Sequence, residues 1–162
     1  MPVDPAPLRS TVGQKEKTDM RFVILMKANR DTEAGVLPDS DILTRMGQFN
    51  EELVNAGIML AGEGLHASAK GARVSITDGR TTVVDGPFAE TKELIAGFWL
   101  WRVKSMDEAV EWLKRCPNPH PGETDVEIRP LFEAEDFGAE FTPELREQEA
   151  LLRAEIDRKA GR

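Results

Sequence analysis

A chain of 162 residues is long enough for one domain with an appendage. Its 40% hydrophobic and 31% charged residues allow a packed core and argue against wholesale disorder. The net charge of -8 disfavours direct nucleic-acid binding, which draws on cationic groups facing phosphates.

Residues 1–19, MPVDPAPLRSTVGQKEKTD, hold three prolines and scattered charges without periodicity. They read as a flexible arm, and they lack the apolar stretch of a signal peptide. Phe22 to Met26 (FVILM) is a short apolar run that predicts a buried strand. A loop, ANRDTEAGVLP, follows. Asp39 or Ser40 can cap the next helix. Ile42, Leu43, Met46, Phe49, Leu53 and Val54 recur every three or four residues and trace one apolar stripe. Gly57 suits the position after the helix end, and Ile58 to Ala61 predicts a second strand.

Val74 and Ile76 alternate with Arg73, Ser75 and Thr77. Asp78-Gly79 then supplies a tight hairpin turn, and Thr81 to Val84 is the return strand. Gly97 to Val103 (GFWLWRV) is aromatic and prone to strand. Ser105-x-x-Glu108 is a capping box. It opens a helix with apolar Met106, Ala109, Val110 and Leu113, which Pro117 and NPHPG end. Val126 and Ile128 alternate with Glu127 and Arg129 as a last core strand.

The order is therefore β-α-β, a hairpin, then β-α-β. That order predicts an α+β, ferredoxin-like βαββαβ domain over residues 20–132 with an inserted β-hairpin. Phe98 and Leu100 alternate with Trp99 and Trp101, so both faces of that strand want burial. Two subunits stacked sheet on sheet would bury both. The alternative is one aromatic pair lying under the C-terminal tail. Over residues 133–162 the composition shifts, and FEAEDFGAEF (132–141) is an acidic connector. Thr142-Pro143 then opens a helix to about Arg158, with Leu145, Gln148, Leu152 and Ile156 as a weak stripe. This tail is either a solvated helix or an arm that wraps a partner subunit.

Cys116 is the single cysteine, so no internal disulfide forms, and a reduced, cytoplasmic setting fits. No window approaches the roughly 20 apolar residues of a membrane span.

Four segments together carry a resemblance: AGEGL (Ala61–Leu65), VSITDGRTTVVDGPFAETKE (Val74–Glu93), GFWLW (Gly97–Trp101) and VEIRPL (Val126–Leu131). They resemble the YCII-related proteins of the DGPF subgroup, from Met20 to roughly Leu131. The resemblance implies a dimeric α/β-barrel built on the ferredoxin-like fold, and implies little about chemistry. It also implies a link of some relatives to sigma factors, hence a protein partner. Other relatives with this dimeric barrel are small-molecule enzymes. In YciI-type relatives a His–Asp pair is a proposed catalytic dyad, its histidine in the first helix. Here that helix reads SDILTRMGQFNEELVNAG, without histidine and with Met46 near the position. The dyad does not carry over, and Asp85 alone remains as a candidate acid.

The motif DGPFAETKE (Asp85–Glu93) has two readings. As a corner, Pro87 fixes φ, Gly86 is extended, Phe88 pins the turn to the core and Asp85 caps it through backbone N–H groups. As a cleft wall, Asp85 faces Glu63 of AGEGL. Two carboxylates sharing a cavity raise one pKa and make an acid or base. Lys92 would then hold an anionic group, and His66, directly after AGEGL, would shuttle protons. Phe88, Glu93 and Trp99 complete the candidate ligand-binding set. His120 in NPHPG reads as a loop residue. Two distant histidines and one cysteine do not make a zinc site, and Walker, GxGxxG and GxSxG motifs are absent. No metal and no bound cofactor are expected.

Two functions follow. One is a homodimeric module that binds a small molecule or a protein, a sigma-factor-linked partner being one version. The other is a cofactor-independent enzyme on a small organic substrate, using Asp85 with Glu63 or His66.

Overall fold

The computed structural model describes residues 19–162. The arm expected over residues 1–19 lies, but for Asp19, outside them. The described chain divides into two compact units, one ending at Arg129 and one spanning Pro130–Arg162.

The first unit holds a four-stranded sheet in the order β2-β5-β1-β6. Its strands are β1 (Met20–Lys27), β2 (Met59–Gly64), β5 (Ile95–Val103) and β6 (Val126–Pro130). β5 pairs antiparallel with both β1 and β2. Helices α2 (Ser40–Asn55) and α3 (Met106–Leu113) connect β1 to β2 and β5 to β6. This is the ferredoxin-like α+β arrangement that the element order predicts. The inserted hairpin is β3 (Ala72–Thr77) with β4 (Arg80–Asp85), closed by Gly79 at φ 76°. These two strands form a separate sheet.

Alternation sorts the main sheet into two faces. Phe22 and Ile24 of β1 pair with Trp101 and Trp99 of β5, and all four are buried. Phe49 and Leu53 of α2 and Ala109 of α3 join them in one core. Phe49 meets Trp99 and Trp101 edge-on, with centroids 5.9 Å and 6.3 Å apart. The opposite face carries Val23, Leu25, Ala61, Phe98 and Leu100, which are half-buried.

Several local expectations change. Part of the predicted loop after β1 is a one-turn helix, α1 (Arg30–Glu33). Asn29 and Thr32 close it with a reciprocal capping box, a signal weaker in sequence than the glycine beyond it. Asp39, not Ser40, caps α2 by accepting from the Ile42 N–H. The apolar stripe of α2 is narrower than the spacing predicts, because Leu43 and Val54 are exposed. On α3, Met106 and Val110 are exposed, while Trp112 and Leu113 pack on the core. Glu108 sends its carboxylate back to the Lys104 N–H, one residue before the Ser105 cap.

In the second unit the acidic connector forms two short 3-10 turns within Ala134–Glu140, separated by a kink at Gly138 with φ 69°. Phe132 stacks on Phe137 at 5.1 Å, and Phe137 meets Phe141 in a tilted contact at 5.3 Å. α4 (Pro143–Lys159) starts at the Thr142 cap and leaves Leu145, Leu151, Leu152 and Ile156 exposed.

Cys116 packs against the core, and burial pushes its thiol up to about 11. At pH 8 its thiolate fraction is then on the order of one in a thousand. Thiol titration at pH 8 should show slow labelling of the native protein and fast labelling in urea.

Candidate functional site

The site begins with a packing demand. The indole of Trp99 lies over Gly62 of the edge strand β2. A Cβ at Gly62 would fall 2.6 Å from Trp99 Cδ1 and 2.8 Å from Met59 Cε, so only glycine admits the ring there. The Trp99 Nε1–H donates to Asn50 Oδ1 at 2.9 Å, which fixes the ring to α2.

Beside this ring a cleft of about 780 Å³ opens between α2, the end of β2 and the loop before α2. That volume lies within the range of small-molecule sites. Met26, Ile42, Met46, Met59 and Trp99 form its apolar floor. Val36, Leu37, Leu43 and Leu65 form its rim and are 49–84% exposed. The register sets Gly62 beside Trp99 and Glu63 beside Phe98, on the opposite face, and all four line the cleft. The cleft therefore wraps the end of the edge strand and reaches both faces of the sheet. Its ionisable lining is Glu63, His66, Lys70 and His120.

The DGPF motif stands elsewhere, and hydrogen bonds tie it to the cleft wall. The Gly86 N–H donates to the Gly71 carbonyl at 3.0 Å. The Phe88 N–H donates to Ser68 Oγ at 3.1 Å. Ser68 Oγ donates in turn to Glu33 Oε2 at 2.5 Å, and the Ser68 N–H donates to Glu33 Oε1 at 3.1 Å. Gly86 sits so close that an added Cβ would lie 1.7 Å from the Ser68 carbonyl oxygen. Arg73 lies over the Phe88 ring at 3.9 Å and reaches Glu90 at 3.5 Å. The corner thus grips Ser68, two residues after His66. Ser68 grips Glu33 at the end of α1, two residues before the cleft-lining Gly35.

The sequence candidates separate accordingly. Glu63, His66 and Trp99 line one cleft. Asp85, Phe88, Lys92 and Glu93 are not among its lining residues. Asp85 is an exposed end residue of β4 opposite Ala72, and the Phe88 N–H of the corner donates to Ser68 Oγ. Lys92 and Glu93 are exposed in a 3-10 turn over Thr91–Glu93. His120, read from sequence as a loop residue only, lines the cleft, so both histidines of the chain are among its lining residues. Asn50 and Lys70 were also missed. Asn50 had a signal, since it follows Ile42 and Met46 at four-residue steps. His120 had none, because its approach depends on the path of the loop between α3 and β6. No group of three or more metal-binding side chains occurs among the described residues, and no described helix is long and apolar enough to cross a membrane.

The fold and its edge-strand cleft define a ferredoxin-like α+β domain with an inserted hairpin. The YCII-related domain matches residues 20–132, so the chain belongs to the YCII-related family. An uncharacterised protein of Rhizobium meliloti (strain 1021) is 33% identical over 93 residues, covering 57% of this chain and 75% of that protein.

The corner makes a clear prediction. Gly86→Ala must displace the Ser68 backbone and should lower stability by about 1–3 kcal/mol in urea unfolding. Asp85→Asn should stay within about 0.5 kcal/mol of the parent, as surface changes do.

Proposed function

We propose that this protein is a homodimeric binding module that takes a small molecule in the cleft beside Trp99. The observation that carries the reading is the cleft itself. It is of small-molecule size, its floor is apolar, and its aromatic base is immobilised by Asn50. Glu63 and His66 stand at its edge as polar contacts. The DGPF corner serves this reading as a buttress that holds Ser68 and Glu33, not as a wall.

Dimerisation is supported by the apolar face of Val23, Leu25, Ala61, Phe98 and Leu100, on the side of the sheet away from α2 and α3. Such a face buries well against its own copy. Because the cleft reaches Phe98 on that face, a second subunit would close one side of it. A protein partner, of which a sigma-factor link is one version, rests on family resemblance and is not the reading the geometry favours.

A catalytic reading has one observation in its favour, since Glu63 and His66 share the cleft. An acid and a base there would act on a bound molecule without a metal. The pairing of Asp85 with Glu63 draws no support from the cleft lining.

Native mass spectrometry tests the module directly. The expected species is twice 18.0 kDa. Leu100→Arg should convert it to monomer. A parent protein that stays monomeric at micromolar concentration sinks the dimer. Ligand entry should change Trp99 fluorescence, and Gly62→Val, which pushes the indole aside, should abolish that change.

A further inference from the structure

The cleft's polar groups restrict the chemistry of its occupant. Thr32 and Asn50 are neutral lining residues, and each already makes a hydrogen bond within the chain. Thr32 Oγ1 accepts from the Asn29 N–H at 2.8 Å and donates to the Asn29 carbonyl at 3.0 Å. Asn50 Oδ1 holds the Trp99 indole. The side chains of Glu63, His66, Lys70 and His120, by contrast, make no hydrogen bond or ion pair among the described residues. Three of these four are donors. Lys70 offers an ammonium, and each imidazole offers an N–H in either protonation state. Glu63 alone, when ionised, is purely an acceptor. With Lys70 offset by Glu63, the lining lacks the acidic excess of a chain of net charge -8.

The apolar rim adds a second restriction. Val36, Leu37, Leu43 and Leu65 stay wet around the mouth of a cavity whose floor is also apolar. Scattered exposed leucines need no explanation, but a set gathered on one cleft marks a binding surface. A sugar or polyol would leave this rim in water.

We propose that the cleft binds an amphipathic carboxylate, its apolar body on the Met46–Trp99 floor and its carboxylate received by His66, Lys70 and His120. The proposal rests on the small-molecule reading above and specifies its ligand class. Charge-assisted hydrogen bonds contribute about 1.5–3 kcal/mol each, so one that forms well gives at least a roughly tenfold preference over a neutral analogue.

Isothermal titration of the full chain with decanoate, decanol and decyltrimethylammonium tests this with one common apolar body. The expected order is decanoate tightest by tenfold or more, then decanol, then the cation. Lys70→Met and His120→Gln, both near the surface and checked for fold by circular dichroism, should each reduce the decanoate preference and leave decanol affinity within about twofold. Equal binding of decanoate and decanol would overturn the carboxylate assignment and leave the cleft standing. Tightest binding of the cation would overturn it in favour of Glu63 as the anchor. Binding of none of the three would overturn the assignment together with the reading beneath it.

Discussion

The structure depends on one aromatic contact, the seating of Trp99 and Trp101 of β5 beneath Phe49 of α2. The two indoles lie 5.7 Å apart and fill the space between sheet and helices with Phe22, Ile24 and Leu53. Burying such large rings provides most of the driving force a small domain can gather. It also imposes costs. The Trp101 indole N–H is buried without a partner among the described residues, a loss that the surrounding ring contacts must outweigh. Gly62 must remain a glycine, because Trp99 occupies the volume where a side chain would start.

The cleft is a consequence of that packing. Phe49 and Leu53 pull the C-terminal half of α2 onto the sheet. Nearer its start, Ile42 and Met46 stand only half-buried over the end of β2. No large side chain projects from the glycines of β2 to fill the gap. The space left between them is the candidate site. Its floor is thus core surface that the fold does not close, and its rim comes from the segments before α2 and after β2.

Those two segments are held by the DGPF corner. Gly86 and Phe88 anchor Ser68, and Ser68 anchors Glu33 through both of its polar groups. The motif dense in charged residues therefore acts at a distance, through backbone N–H groups and a serine hydroxyl, while its carboxylates remain in solvent. The hairpin that delivers the motif exposes Val74, Ile76, Val83 and Val84, so it contributes little burial of its own. A two-stranded ribbon of this kind draws its order from its ends, here the contacts of Gly71, Gly86 and Phe88.

Sequence by itself determined the element order, the ferredoxin-like topology and the identity of the core rings. These follow from periodicity, caps and turn residues, which act within a few positions of each other. It also singled out Glu63, His66 and Trp99, because AGEGL and GFWLW each pair a constrained backbone with a chemically useful side chain. Tertiary structure alone decided which of the candidates share a cavity. It left Asp85 outside the lining of the cleft, made Ser68 the recipient of the Phe88 N–H and set His120 in the same lining as His66, 54 positions away. Local pattern carries no information on such distances. They are fixed by how two helices settle on one sheet, and that settling depends on the volume of Trp99 and the absence of volume at Gly62.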